Sequence, residues 1–249
     1  VSGSDNVGGF IGFVQQIKQA TVISFDGCLN DGNVTGNVWY VGGFVGLISS
    51  NTNMVLTISN SINNAIVKKY WDVGGFVGYI RDNINTTITI SNSTNNGDVI
   101  GMKHRAAGFV GYIENNTIIT VTISNSVNNG KVTGSWDHVG GFVGMIDTNT
   151  NMTMTIFNST NNGNVNGSNY VGGFVGLISS NSPTYSTALV IISSANKGSI
   201  STNKNVACGF VCINPEKSFD VKTTIKNSIN KGIVNANTCI WNHKHHHSG

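Results

Sequence analysis

Charge is what this sequence has least of. Only 10% of its 249 residues are Asp, Glu, Lys or Arg, against roughly 25% in an ordinary globular domain. The net charge of +3 is small and too scattered to form the basic footprint of a nucleic-acid binder. No run of 18 apolar residues occurs, which excludes a membrane-spanning helix. Helical 3.6-residue periodicity is missing too, so a coiled coil is excluded, as is an acidic or basic disordered tail. The chain opens neither on Met nor on a basic-then-apolar leader, and any signal peptide is expected to be absent or already removed. What is plentiful is Gly (31), Asn (37) and Ser plus Thr (48). The length suits one or two domains with a sizeable core, and the composition leans to β-structure.

The sequence repeats itself, and the repeat decides the fold. VGGF recurs at Val7, Val41, Val73, Val139 and Val171, with degenerate copies AAGF at Ala106 and ACGF at Ala207. The phenylalanines Phe10, Phe44, Phe76, Phe109, Phe142, Phe174 and Phe210 are spaced by 34, 32, 33, 33, 32 and 36 residues. A second block follows each, as in ISNSTNNGDV from Ile90 and ISNSVNNGKV from Ile123. Each of the seven repeats reads as two strand segments and a shorter third, separated by Asn/Gly/Ser/Thr turns. Alternation puts Ile58, Ile90, Ile123, Ile156 and Ile225 on an inner face and Thr57, Thr89, Thr122 and Thr155 outside.

A unit of this size cannot bury an apolar face alone, whereas stacked coils can. The expected fold is all-β: a parallel β-helix, right-handed by the usual crossover rule, of about seven coils with three strands each. It would be one domain over 1–242 followed by a polar His-rich tail, 243–249. A β-propeller is the runner-up, disfavoured because its blades need four antiparallel strands and more residues. Stacking turns each repeat position into a column. The seven phenylalanines should form a core stack, with the adjoining glycines allowing close approach or a bend. Asn30, Asn63, Asn95, Asn128, Asn161, Asn196 and Asn230 should form a turn ladder, with the Gly two residues on taking a positive φ. Asn60, Asn92, Asn125, Asn158 and Asn227 have inner-face parity and are expected as a second, buried ladder.

VGGFVG followed by ISNSxNNGxVxG resembles the GLUG-type repeats of bacterial and protist surface proteins, over nearly the whole chain. GGFVG stands at Gly42, Gly74, Gly140 and Gly172. The frequent Cys of those repeats is kept only at Cys28; Ser61, Ser93, Ser126, Ser159, Ser194 and Ser228 replace it elsewhere. The resemblance implies a β-helical stalk of an adhesin-like, extracellular or cell-surface protein. It carries no catalytic residues and no cofactor.

Chemistry is sparse. Glu114 and Asp147 share a loop column on adjacent coils, but with no basic partner or His beside them they read as solvated carboxylates rather than a catalytic pair. The segment before VGGF carries Trp39, Tyr40, Tyr70, Trp71, His104, Trp136, His138 and Tyr170, expected as a strip along one edge. That strip could contact glycans, or cover the edge and pack. Thr87 with Thr89, Thr120 with Thr122, and Thr153 with Thr155 form an outward T-x-T array like the ice-binding faces of insect antifreeze β-helices, although Thr is an ordinary strand residue. The tail from His243 to His247 is read as holding no functional metal. Cys208 and Cys212, about 13 Å apart on an extended strand, are too far apart for a disulfide; Cys239 could reach one of them. Seven sequons occur, about the chance number; Asn85, Asn115 and Asn151 are the glycosylation candidates, since Asn92 and Asn158 should point inward.

The sequence starts at the third strand of a coil, VSGSDNVGGF aligning with VNGSNYVGGF from Val165. It ends at the same phase. Open coil edges invite another chain. The leading expectation is thus a non-enzymatic extracellular stalk segment or head-to-tail filament subunit. Its partners would be itself or adjoining coils, with cell-surface glycans or host proteins as further candidates, and neither nucleic acid nor a membrane span.

Overall fold

The computed structural model describes residues 1–180 and 182–236; Cys239 and the His-rich tail lie outside the described residues. The chain winds as an all-β parallel solenoid of about seven coils, with no helix among the described residues. Each coil contributes to five parallel sheets, one of eight strands and four of seven. In the third coil these strands are Val67–Lys69, Asp72–Gly74, Val77–Arg81, Ile84–Ser91 and Thr94–Asn95, which define the first to fifth sheets. Equivalent residues sit directly above one another: Ile88 pairs with Leu56 on one side and Val121 on the other. Parallel pairing throughout excludes the propeller.

Five strands per coil, not three, follow from the corners. Asn60, Asn92, Asn125, Asn158 and Asn227 take left-handed conformations at φ 46–51°. This breaks the alternation that would have carried them inward, so the expected buried ladder is instead an exposed corner. Asn tolerates that conformation best among residues with a Cβ. The sequons at Asn92 and Asn158 therefore face solvent as well, as do those at Asn85, Asn115 and Asn151. Between the third and fourth sheets, two left-handed residues bracket the bend in the second to fifth coils, as Asp82 and Asn85 bracket Asn83.

The inward faces of the third and fourth sheets enclose the main core around the phenylalanines. Phe44, Phe76, Phe109, Phe142 and Phe174 are fully buried, while Phe10 is 44% exposed. Successive rings from Phe76 to Phe174 lie 4.7–4.9 Å apart and within 5° of parallel. A separate core of valines and alanines, including Val67, Val73, Val132 and Val139, fills the space between the first and second sheets. The second sheet folds back onto the outer side of the third, and glycine makes this possible. A Cβ at Gly42 would stand 2.0 Å from the carbonyl oxygen of Val45, and one at Gly46 2.8 Å from the backbone nitrogen of Val7.

Polar columns tie the coils together. The turn ladder runs unbroken: Asn63, Asn95, Asn128 and Asn161 each donate from Nδ2 to Oδ1 of the next Asn at 2.7–2.8 Å. Each also donates to the carbonyl two residues on. The glycine that follows is required for a different reason from the one expected. Gly97, Gly130, Gly163, Gly198 and Gly232 have no positive φ; rather, a Cβ on Gly97 would lie 1.8 Å from the carbonyl oxygen of Ala65 on the coil below. The serines that replace the repeat's Cys form another ladder: each Oγ accepts the backbone N–H of the preceding coil's column member, as Ser93 does from Ser61 at 3.2 Å. Sequence reasoning missed a third column, Asn51, Asn83, Asn116 and Asn149, all buried and linked Nδ2 to Oδ1 at 2.9–3.0 Å.

Cys208 and Cys212 are disulfide-bonded, with Cα atoms 5.5 Å apart, contrary to the extended-strand expectation. Cys208 ends a second-sheet strand and Cys212 lies in a third-sheet strand, so the Gly209–Phe210 corner folds them together. Cys208 pairs in register with Gly172, and Cys212 takes the place of the motif's third glycine. The pinch that glycines make elsewhere is made covalently in the seventh coil.

Candidate binding flank

Where the second sheet begins, it overhangs the outer face of the third. Leu47, Tyr79, Tyr112, Met145 and Leu177 point outward from the third sheet, yet are buried by that overhang. Tyr40 packs on Tyr79 with centroids 4.5 Å apart, and the Arg105 guanidinium lies 3.7 Å above the Tyr112 ring, a cation–π contact. Both arginines of the chain, Arg81 and Arg105, lie here. So do three of its four tryptophans and five of its six tyrosines.

The predicted aromatic strip exists but divides into columns. Trp39, Trp71 and His104 stack coil on coil, with Trp71 and His104 centroids 4.3 Å apart and 12° from parallel. Stacking occupies the ring faces, so most of this column serves packing. His138 and Tyr170 stack at 5.5 Å. Tyr70 lies 5.9 Å beneath the Lys103 ammonium. Trp136 stacks on no other ring among the described residues and is 61% exposed.

Charges on this flank are mutually matched. Arg105 reaches buried Asp72 at 3.2 Å, His104 reaches Asp137 at 2.9 Å and Arg81 reaches Asp82 at 2.6 Å. Glu114 and Asp147 are register partners as expected, but not isolated. Arg81 is Glu114's neighbour on the other side, and the Tyr79 hydroxyl donates to Glu114. Ser179 donates to Asp147 at 2.7 Å. Burial raises the pKa of both Asp72 and Asp147, opposed in Asp72 by Arg105 and in Asp147 chiefly by the Ser179 hydrogen bond. Burial, with Arg105 close by, pushes His138 down to about 4, against the pull of Asp137. The Arg105 Nε and His138 Nδ1 atoms are buried without a hydrogen-bond partner among the described residues. The linear pattern hid Arg81 and Arg105 because the overhang that gathers them is a fold-back between sheets.

The threonine array lies on the opposite, fourth sheet. Thr87, Thr120 and Thr153 form one register column and Thr89, Thr122 and Thr155 the next. Val55 and Ala188 interrupt the first column, and Val190 the second. Among the described residues, no group of three or more His, Cys, Asp or Glu is placed to hold a metal.

No protein-family model matches this sequence, and no curated protein matches it. Among solved structures, the fold is similar to that of a "putative immunoglobulin A1 protease" from Bacteroides ovatus. The TM-score is 0.53 at 16% identity, over 90% of this chain and 79% of that one. At that identity the likeness is one of fold alone.

Proposed function

We propose that this chain is a non-enzymatic, extracellular structural module: a stiff stalk segment of an adhesin-like protein, able to stack end to end with further coils. The observation that carries this reading is the set of continuous cross-coil ladders. Buried Asn, Ser and Phe columns couple every coil to its neighbours by the same contacts, which makes the coils a rigid rod. The Cys208–Cys212 bond fits an oxidising compartment, and the GLUG-type resemblance fits a surface location.

The test is a turnover assay of the purified chain on a polysaccharide panel and on immunoglobulin A1, the latter prompted by the name of the structural neighbour. The reading predicts no cleavage of either. Catalytic turnover that is abolished by Glu114→Gln or Asp147→Asn would overturn it. Electron microscopy over a concentration series then separates the two structural roles: fibres that lengthen with concentration mark a filament subunit, and rods of constant length mark a stalk segment.

A further inference from the structure

The flank described above gathers chemistry that the rest of the chain almost lacks, and its charges are already matched. Arg105 pairs with Asp72 and Arg81 with Asp82, and His104 contacts Asp137 at 2.9 Å, so no cluster of one sign stands open among the described residues. A polyanion or polycation therefore finds no complementary field there. What remains open is aromatic and hydrogen-bonding. Trp136 is 61% exposed and stacks on no other ring among the described residues. Asp137, the next residue in the chain, pairs with His104 at 2.9 Å with both side chains about three-quarters buried, a polar fork fixed before any ligand arrives. Asn169 donates to Asp137 at 3.0 Å and helps fix it. An apolar plane next to rigid hydrogen-bonding groups suits a pyranose ring, which has an apolar C–H face and a rim of hydroxyls.

We propose that the fourth and fifth coils bind a neutral glycan, with one sugar ring on the Trp136 indole and its hydroxyls on the His104–Asp137 pair. This goes beyond the stalk reading and does not depend on coils stacking end to end. Trp39 and Trp71 are not binding residues here, because Trp71 is engaged face to face with His104 and Trp39 packs on Trp71 at a tilt of 35°. Their role is to hold His104 in place.

The experiment is titration of the whole chain with neutral hexasaccharides built from β-linked glucose, xylose, mannose or N-acetylglucosamine, with heparin as the anionic comparison. Tryptophan fluorescence and calorimetry are the readouts. The expected result is saturable binding of at least one neutral hexasaccharide. Trp136→Ala should weaken it tenfold or more with an unchanged melting temperature, and Trp136→Phe should restore part of it. The inference is overturned if no neutral hexasaccharide binds the wild-type chain, if Trp136→Ala binds as tightly, or if heparin alone binds. Sugar release during the titration would instead overturn the non-enzymatic reading, so the two failures are distinguishable.

Discussion

Replacing Asn128 with Ala should cost several times more stability than replacing its neighbour Asn129. Asn128 is fully buried. Its Nδ2 donates to the Gly130 carbonyl at 3.0 Å and to Asn161 Oδ1 at 2.8 Å, while its Oδ1 accepts from Asn95 at 2.8 Å. Truncation removes all three bonds and strands two buried acceptors, Gly130 O and Asn161 Oδ1, and one N–H of the Asn95 amide. At about 1–3 kcal/mol for each buried group left unsatisfied, the expected loss is about 4 kcal/mol. Asn129 makes the same kind of bond to Asn96 at 2.8 Å, but in solvent, where water replaces it; its loss should stay near 0.5 kcal/mol. The assay is urea unfolding followed by far-ultraviolet circular dichroism. Midpoints are compared directly, because the coils of a solenoid need not unfold together. Asn128→Asp sharpens the test: an ionised carboxylate cannot donate, so this variant should recover toward wild type as pH falls and the buried side chain takes up a proton. Equal midpoints for Asn128→Ala and Asn129→Ala would refute the ladder's structural role.

Glycine positions should discriminate as sharply: Gly75→Ala, whose Cβ would lie 2.1 Å from the Gly108 carbonyl oxygen, should prevent native packing, whereas Gly32→Ala, with nothing within 4 Å, should leave the melting temperature unchanged. Lys69 is buried and its ammonium donates to the Asp5 carbonyl at 3.2 Å; burial pushes its pKa down to about 8, against the pull of Asp5 and Asp72. The unfolded chain then holds more protons than the folded one between that value and the ordinary lysine range, so wild-type stability rises with pH across this window. Lys69→Met should be more stable than wild type at pH 7, with the difference shrinking toward pH 10.5 in parallel denaturation series. Reduction of Cys208–Cys212, which closes a very short loop, should lower stability by about 2 kcal/mol on the chain-entropy model. The tryptic peptide spanning 205–217 should gain two hydrogens on reduction, as read by mass spectrometry.

The solenoid was legible because a 33-residue period, once coils stack, places each Phe above the last and Ile88 beside Leu56 and Val121. The Asn30-to-Asn230 ladder was legible for the same reason: it repeats in every coil. What the linear pattern misread lies at corners. Parity counted straight through Asn60 and Asn92 assigns them inward, but a left-handed residue resets the alternation. Distance counted along an extended strand separates Cys208 from Cys212, but a Gly–Phe corner stands between them. The column from Asn51 to Asn149 escaped notice because it sits in the segment whose length varies most between repeats. On the flank, the eight aromatic and His positions were found from sequence, while their stacking, the Arg105–Asp72 pair and the Tyr79–Glu114 bond depend on the second sheet folding back over the third.

The most direct test of the ladder-bound solenoid is hydrogen exchange of the Asn side-chain amides by NMR on the labelled chain. The account predicts that the NH₂ groups of Asn63, Asn95, Asn128 and Asn161, and those of Asn83 and Asn116, exchange orders of magnitude more slowly than those of exposed Asn60, Asn92 and Asn129. Uniformly fast exchange across both sets would contradict it.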